Sequence, residues 1–243
     1  MWVNRAPFLA VLITLVSVDV VAQERFFRTG MHSIGLSVGI IDHKYTGNAD
    51  IARGTSYQGP AFGLSYTGPQ LRTTALFARF DGTRAPVKRT LVNVSGIGWL
   101  LPSFTLRNLD NTILAVPVGL LVAWQRTSGD IDSTPLGTQA ILLGTGGVLE
   151  HQMGNRTRMK LRAMPLAGFT STEIVNALGF SWAADAEARL EVNDFFSSLG
   201  LNISYIFRYQ VWNVNGSRAF SSAVDEAYDY ASVMHIISVE LKF

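Results

Sequence analysis

Charged residues recur at every second position in two neighbouring stretches of this chain. Arg158, Lys160 and Arg162 alternate with apolar residues, and so do Asp185, Glu187, Arg189 and Glu191. Arg208 lies in a third stretch, where Leu199, Leu201, Ile203, Tyr205, Phe207 and Tyr209 hold the opposite parity. A period of two belongs to a β-strand, whose successive side chains point to opposite faces. Bases on one strand and acids on the next can then stand side by side. Opposite charges across a strand pair are mildly stabilising, and a ring of charges around an enclosed axis can select ions. The chemistry these residues predict is electrostatic: a network that orders an interior, or a filter that sorts ions.

The register can be written down. Pairing Phe169 with Phe180 sets Arg162 across from Glu187, Arg158 across from Glu191 and Lys160 across from Arg189. A two-residue hairpin turn at Asn193-Asp194 sets Asp185 opposite Asn202 and Arg189 opposite Ser198. The expected lumen charge network is therefore Arg158, Lys160, Arg162, Asp185, Glu187, Arg189, Glu191 and Arg208. The first two strands offer only Gly35, Ser37, Gly39, Ala61, Gly63 and Ser65 on the same side. Long charged side chains are expected to reach toward a wall of small ones.

Ten strands are expected to position these groups. Ser33–Ile41 carries Ile34, Leu36, Val38 and Ile40 on one face, and Pro60–Thr67 carries Phe62, Leu64 and Tyr66. Leu71–Asp81 follows, with Leu76, Ala78 and Phe80 as its greasy face, and then Lys88–Leu100, where alternation is poor. Leu101–Asn111 reads as a longer turn. Thr112–Gln125 aligns Leu114, Val116, Val118, Leu120, Val122 and Trp124, but Pro117 cannot donate to a ladder, so a bulge or break is expected there. Thr138–Gln152, Thr157–Thr170, Phe180–Val192, Phe195–Val211 and the closing strand complete the set; eight strands remain if the fourth or sixth is misread. Connections alternate between long polar loops and tight turns (TGPQ, MGNR, ND), apart from Leu101–Asn111.

Composition narrows the class. Of the 243 residues 16% are charged, against about 25% in soluble domains, yet no apolar run reaches the roughly 18 residues a membrane helix needs. Arg5, the apolar Phe8–Val18 and the small residues Val20-Val21-Ala22 read as a secretory signal, residues 1–22, cleaved before Gln23. Residues 23–243 are then one domain. The absence of Cys excludes a disulfide framework and suits an oxidising compartment. A net charge of +2 is too small to point to nucleic acid.

The last residues, from Val233, place Ile237, Val239, Leu241 and Phe243 on one face, with His235 as a departure. This stretch resembles the closing strand of bacterial outer-membrane β-barrels, whose assembly signal is a terminal Phe preceded by apolar residues at alternate positions. The resemblance implies an all-β fold, a closed antiparallel transmembrane β-barrel in a Gram-negative outer membrane. Outer-membrane lipid and the barrel-assembly machinery would be its partners, and the oligomeric state stays open. Trp99, Trp124, Trp182, Tyr205, Tyr209, Trp212, Tyr228 and Phe243 are expected to supply the interfacial aromatic girdles.

Other chemistry is weakly supported. The four His have no metal-ligand spacing, and neither GxSxG nor a phosphate loop occurs; no cofactor is expected. Ten-stranded outer-membrane proteases hold Asp and His on the outer rim, where this chain offers Asp42, His43, Asp81, Asp130 and Asp132 without a surrounding motif; solvated loop residues are the simpler account. His151 and His235 fall on or near an outward face. No enzyme is expected. A narrow porin-like channel or a structural barrel with an ion-paired lumen leads, followed by a recognition or adhesion barrel acting through its outer loops, then a rim enzyme.

Overall fold

Lipid offers no hydrogen-bond partners, so a sheet that crosses it has to pair every strand and close. The computed structural model describes residues 32–48, 56–81, 88–109, 111–129, 136–172, 178–196, 198–214 and 227–243. The expected signal segment lies outside these residues. The strands are β1 (Ser33–Tyr45), β2 (Tyr57–Thr67), β3 (Leu71–Asp81), β4 (Lys88–Leu109), β5 (Thr112–Gly129), β6 (Leu136–Thr145), β7 (Gly147–Gln152), β8 (Thr157–Thr172), β9 (Leu178–Phe196), β10 (Leu199–Asn213) and β11 (Tyr230–Lys242). Apart from β6 and β7, which each pair with β5 and β8 and not with one another, each strand pairs antiparallel with its neighbours in sequence, and β1 pairs with β11 from Ser33↔Lys242 to Tyr45↔Tyr230. The sheet is thus a closed ring. β6 and β7 are two halves of one wall position, which makes ten positions around the axis.

The break between β6 and β7 has two causes. Pro117 of β5 lies between the pairs Val118↔Thr145 and Ala115↔Val148. Pro165 of β8 lies between Gly144↔Leu166 and Gly147↔Ala163. Both flanks of Thr145-Gly146 therefore carry a residue with no N–H to donate. Thr145 Oγ1 donates 2.8 Å to the Pro117 carbonyl in partial compensation. At Gly146 a Cβ would run into the backbone carbonyl of Ala163, so the wall closes tightly around the gap. The break expected from Pro117 appears on the neighbouring strand.

At one end of the barrel, the short-turn end, two to four residues separate successive strands; at the other, the long-loop end, five to sixteen do. At the short-turn end His32 N donates to the Phe243 carbonyl at 3.0 Å and Phe243 N to that of His32 at 2.8 Å. The expected turn over Leu101–Asn111 is instead strand as far as Leu109, which pairs with Thr112. Register shifts between Trp99 and Leu101, Leu101 and Phe104, and Thr105 and Arg107 scramble the parity and hide the strand from a period-two reading. The turn expected at Asn193-Asp194 is also strand. Asp194 takes φ 51° and β9 continues to Phe196, so Asp185 faces Arg208 and Arg189 faces Ser204 rather than Asn202 and Ser198.

The outer surface is apolar. Leu36, Phe62, Phe169 and Val239 are exposed, as are Ile34, Ile40, Leu64, Leu161, Ile237 and Leu241 of the same parity on β1, β2, β8 and β11. On β3 the expected face is reversed. Leu76 and Ala78 are buried inside, Phe77 is exposed outside, and Arg72 points inward. The interior holds an apolar layer that includes Ile41, Leu76, Leu121, Leu142, Met164, Ile206 and Met234. Because greasy residues occupy both faces of β3, hydrophobicity alone could not orient it. The aromatic girdle is also smaller than expected. Trp182 and Tyr209 meet on the outside with tilted rings whose centroids are 5.1 Å apart, but Trp212 and Tyr228 are buried within.

Candidate functional site

The cross-strand pairs that set the site are those of β8 and β9. Phe169 pairs with Phe180, Arg162 with Glu187, Arg158 with Glu191 and Lys160 with Arg189. Alternation then turns Arg162, Asp185, Glu187 and Arg189 inward together, and β10 adds Arg208 opposite Asp185. One member could not be expected from the misread face of β3. Arg72 extends from the opposite side of the ring, five strand positions away in either direction. Its Nη2 lies 2.9 Å from Asp185 Oδ1 and its Nη1 2.7 Å from Glu187 Oε2. The salt bridge therefore spans the lumen.

The remaining contacts pack around the same two acids. Arg208 donates through Nε and Nη2 to Asp185 Oδ2, at 3.0 and 2.7 Å. Arg162 Nη2 stands 3.3 Å from Asp185 and 2.8 Å from Glu187, and the Trp99 ring covers its guanidinium at 4.5 Å. Trp99 is thus a lumen residue, not a girdle residue. Arg189 Nη2 lies 2.5 Å from Glu187 and also donates to Thr67 Oγ1 at 3.1 Å, so it reaches the β2 wall of small residues. Asp185, Glu187, Arg72, Arg162 and Arg208 have essentially no exposed side-chain surface.

A second tier lies toward the short-turn end. Lys242 Nζ donates 2.9 Å to Glu191. Lys160 pairs with Glu150 at 2.8 Å, and Arg158 approaches the same carboxylate at 3.9 Å. Ser33 Oγ donates to Glu240 at 2.5 Å, and Thr67 Oγ1 to the same carboxylate at 3.3 Å. Arg158, Lys160 and Glu191 therefore stand in separate pairs beside the central cluster. Arg72, Glu150, Glu240 and Lys242 were not among the expected residues. Glu240 and Lys242 could have been found from parity, because they alternate with Val239, Leu241 and Phe243.

A second group of buried side chains lies toward the long-loop end. His43 is buried, with its ring stacked on Tyr230 at 5.0 Å and edge-on to Trp212 at 6.1 Å. Gln125 Nε2 lies 2.8 Å from His43 Nε2, and Asn93 Nδ2 donates to Gln125 Oε1 at 3.1 Å. Asp42 is on the opposite face, 3.0 Å from Lys44. Asp42 and His43 thus form no acid–base pair. Asp81 is exposed, and Asp130 and Asp132 lie outside the described residues. His235 is outward and bonded to the Tyr205 hydroxyl at 2.7 Å; His151 meets Thr112 Oγ1 at 2.8 Å. Among the described residues no group of three or more His, Cys, Asp or Glu is placed to hold a metal ion.

Ile237, Val239 and Leu241 point outward on β11, and Phe243 follows, also exposed. A surface depression of about 440 Å³ on the outer wall is lined by Leu161, Ala163, Ala188 and Tyr205 together with Arg162 and Glu187. One thickness of sheet thus separates the charged cluster from the apolar outside.

No protein-family model matches the chain, and no curated protein matches it. Among solved structures it is similar to the outer membrane protease OmpT of Escherichia coli, at 8% identity and a TM-score of 0.40, covering 89% of this chain and 97% of that one. It is similar to Ail, the attachment invasion locus protein of Yersinia pestis, at 10% identity and a TM-score of 0.32, covering 88% and 99%. It is also similar to the outer membrane protein OprG of Pseudomonas aeruginosa, at 11% identity and a TM-score of 0.33, covering 88% and 96%.

Proposed function

We propose that this protein is an integral outer-membrane barrel with a sealed lumen, a structural barrel whose working surfaces are its ends and not a pore. The observation that supports this reading is the salt bridge from Arg72 on one wall to Asp185 and Glu187 on the opposite wall. A barrel of about eight strands has an interior just wide enough for side chains to fill, and ten strands add little. The interior side chains support the reading: the second tier of ion pairs, the central cluster, an apolar layer that includes Leu76 and Met234, and the His43–Gln125 contact. Residues 1–22 would direct export, and Ile237, Val239, Leu241 and Phe243 would present the closing strand to the assembly machinery. The test is a planar-bilayer recording of the purified protein. Silence is the expected result, and a stable unitary conductance with an ion preference altered by Glu187→Gln would replace the seal with a selectivity filter.

A second reading concerns recognition. The longer connections share one end of the barrel, which supports a role in surface contact. Removing residues 49–55 or 215–226 would then abolish binding to a host surface or ligand while the barrel still folds.

A further inference from the structure

The central cluster is not neutral. Four guanidiniums, those of Arg72, Arg162, Arg189 and Arg208, share the two carboxylates of Asp185 and Glu187, and all six side chains are at most 7% exposed. Asp185 contacts Arg72, Arg162 and Arg208, while Glu187 contacts Arg72, Arg162 and Arg189. Each acid is thus shared by three guanidiniums, and two positive charges remain in excess. The surrounding tier does not absorb them: Arg158 and Lys160 share Glu150, Lys242 pairs with Glu191, and Glu240, bonded to Ser33 and Thr67, brings the acids of the tier only to the number of its cations. Uncompensated charge away from water is strongly disfavoured. The donors tell the same story. Among the described residues, Nε of Arg72, Nε and Nη1 of Arg162, Nε of Arg189 and Nη1 of Arg208 have no hydrogen-bond partner.

We propose that this cluster is a binding site for a small inorganic anion of halide size, held among the guanidiniums that surround Asp185. Buried guanidinium N–H groups form their strongest hydrogen bonds to anions. A monatomic anion needs the least volume among packed side chains and imposes no direction on its donors. It would offset part of the excess charge and accept from nitrogens that the two acids cannot reach. The inference rests on the ion network and not on whether the barrel conducts, because a silent barrel can lack the anion and a conducting one can hold it.

Crystals grown in bromide, with anomalous scattering recorded at the bromine edge, test the site directly. The expected result is a peak within hydrogen-bond reach of Arg162 or Arg208. In parallel, thermal unfolding of the detergent-solubilised protein is followed as chloride replaces gluconate at constant ionic strength, and a saturable rise in Tm is expected. Glu187→Gln raises the excess charge and should lower the chloride concentration at half-effect about tenfold; Arg208→Gln should raise it by a similar factor. Peaks confined to the outer surface, an adventitious ion only, with a Tm that ignores the identity of the anion, would overturn the proposal. If neither variant folds, the bromide map of the unaltered protein decides alone.

Discussion

Arg72 and Asp185 stand on diametrically opposed strands of the ring, yet their side chains meet at 2.9 Å. Because the acids are outnumbered, the two halves of this contact are not equivalent. Asp185→Asn leaves three guanidiniums without their shared partner and should destabilise the barrel by about 3–5 kcal/mol, the range for breaking a buried ion pair. Arg72→Met removes one cation of four and should cost less. Urea unfolding of protein reconstituted in lipid vesicles measures both, and equal losses would contradict the asymmetry.

The outward face makes a second prediction. Val38 lies on the apolar stripe of β1, two residues from each of Leu36 and Ile40. Val38→Arg should lower the stability of the vesicle-inserted barrel by about 2–4 kcal/mol, as a cation near the midplane of the bilayer does. A neutral result in the same urea assay would argue that this stripe does not face lipid.

The proline-flanked gap predicts a local weakness. With Pro117 on one side and Pro165 on the other, the amides of Thr145, Gly146 and Gly147 should exchange with deuterium well before those of Leu142 and Leu143. Gly146→Val should lower stability further, since its side chain meets the Ala163 carbonyl. Uniform protection along this wall position would refute the reading.

The terminal residue predicts an effect on assembly. Deleting Phe243 removes the backbone pair with His32 and the last apolar residue of the outward stripe. Folded, heat-modifiable barrel should then accumulate less in cells, as read by gel mobility of unheated samples. Undiminished accumulation would deny the terminal residue that role.

The parts of this site that could be read from sequence were those with two independent signals. On β8 and β9, alternation and complementary charge agreed, and the register of Arg162 with Glu187 followed. On β3 only hydrophobicity was present, and it misled: Leu76 and Ala78 belong to an apolar layer inside the barrel, so a greasy stripe did not mark the outside. Arg72 was lost with that face. At Asn193-Asp194 the residue types favour a turn, but Asp194 reaches positive φ within a continuing strand. Over Leu101–Leu109 successive bulges erased the parity that pattern reading depends on.

The transverse bond also bears on how the chain reaches its final form. β3 and β9 sit on opposing walls, so a partly built, open sheet leaves Asp185 and Glu187 away from Arg72. Only the joining of β1 to β11 brings the two walls together. Closure and the making of the transverse bond are then a single late event, and a chain halted short of it would hold Arg72 apart from its acids on an unfinished seam.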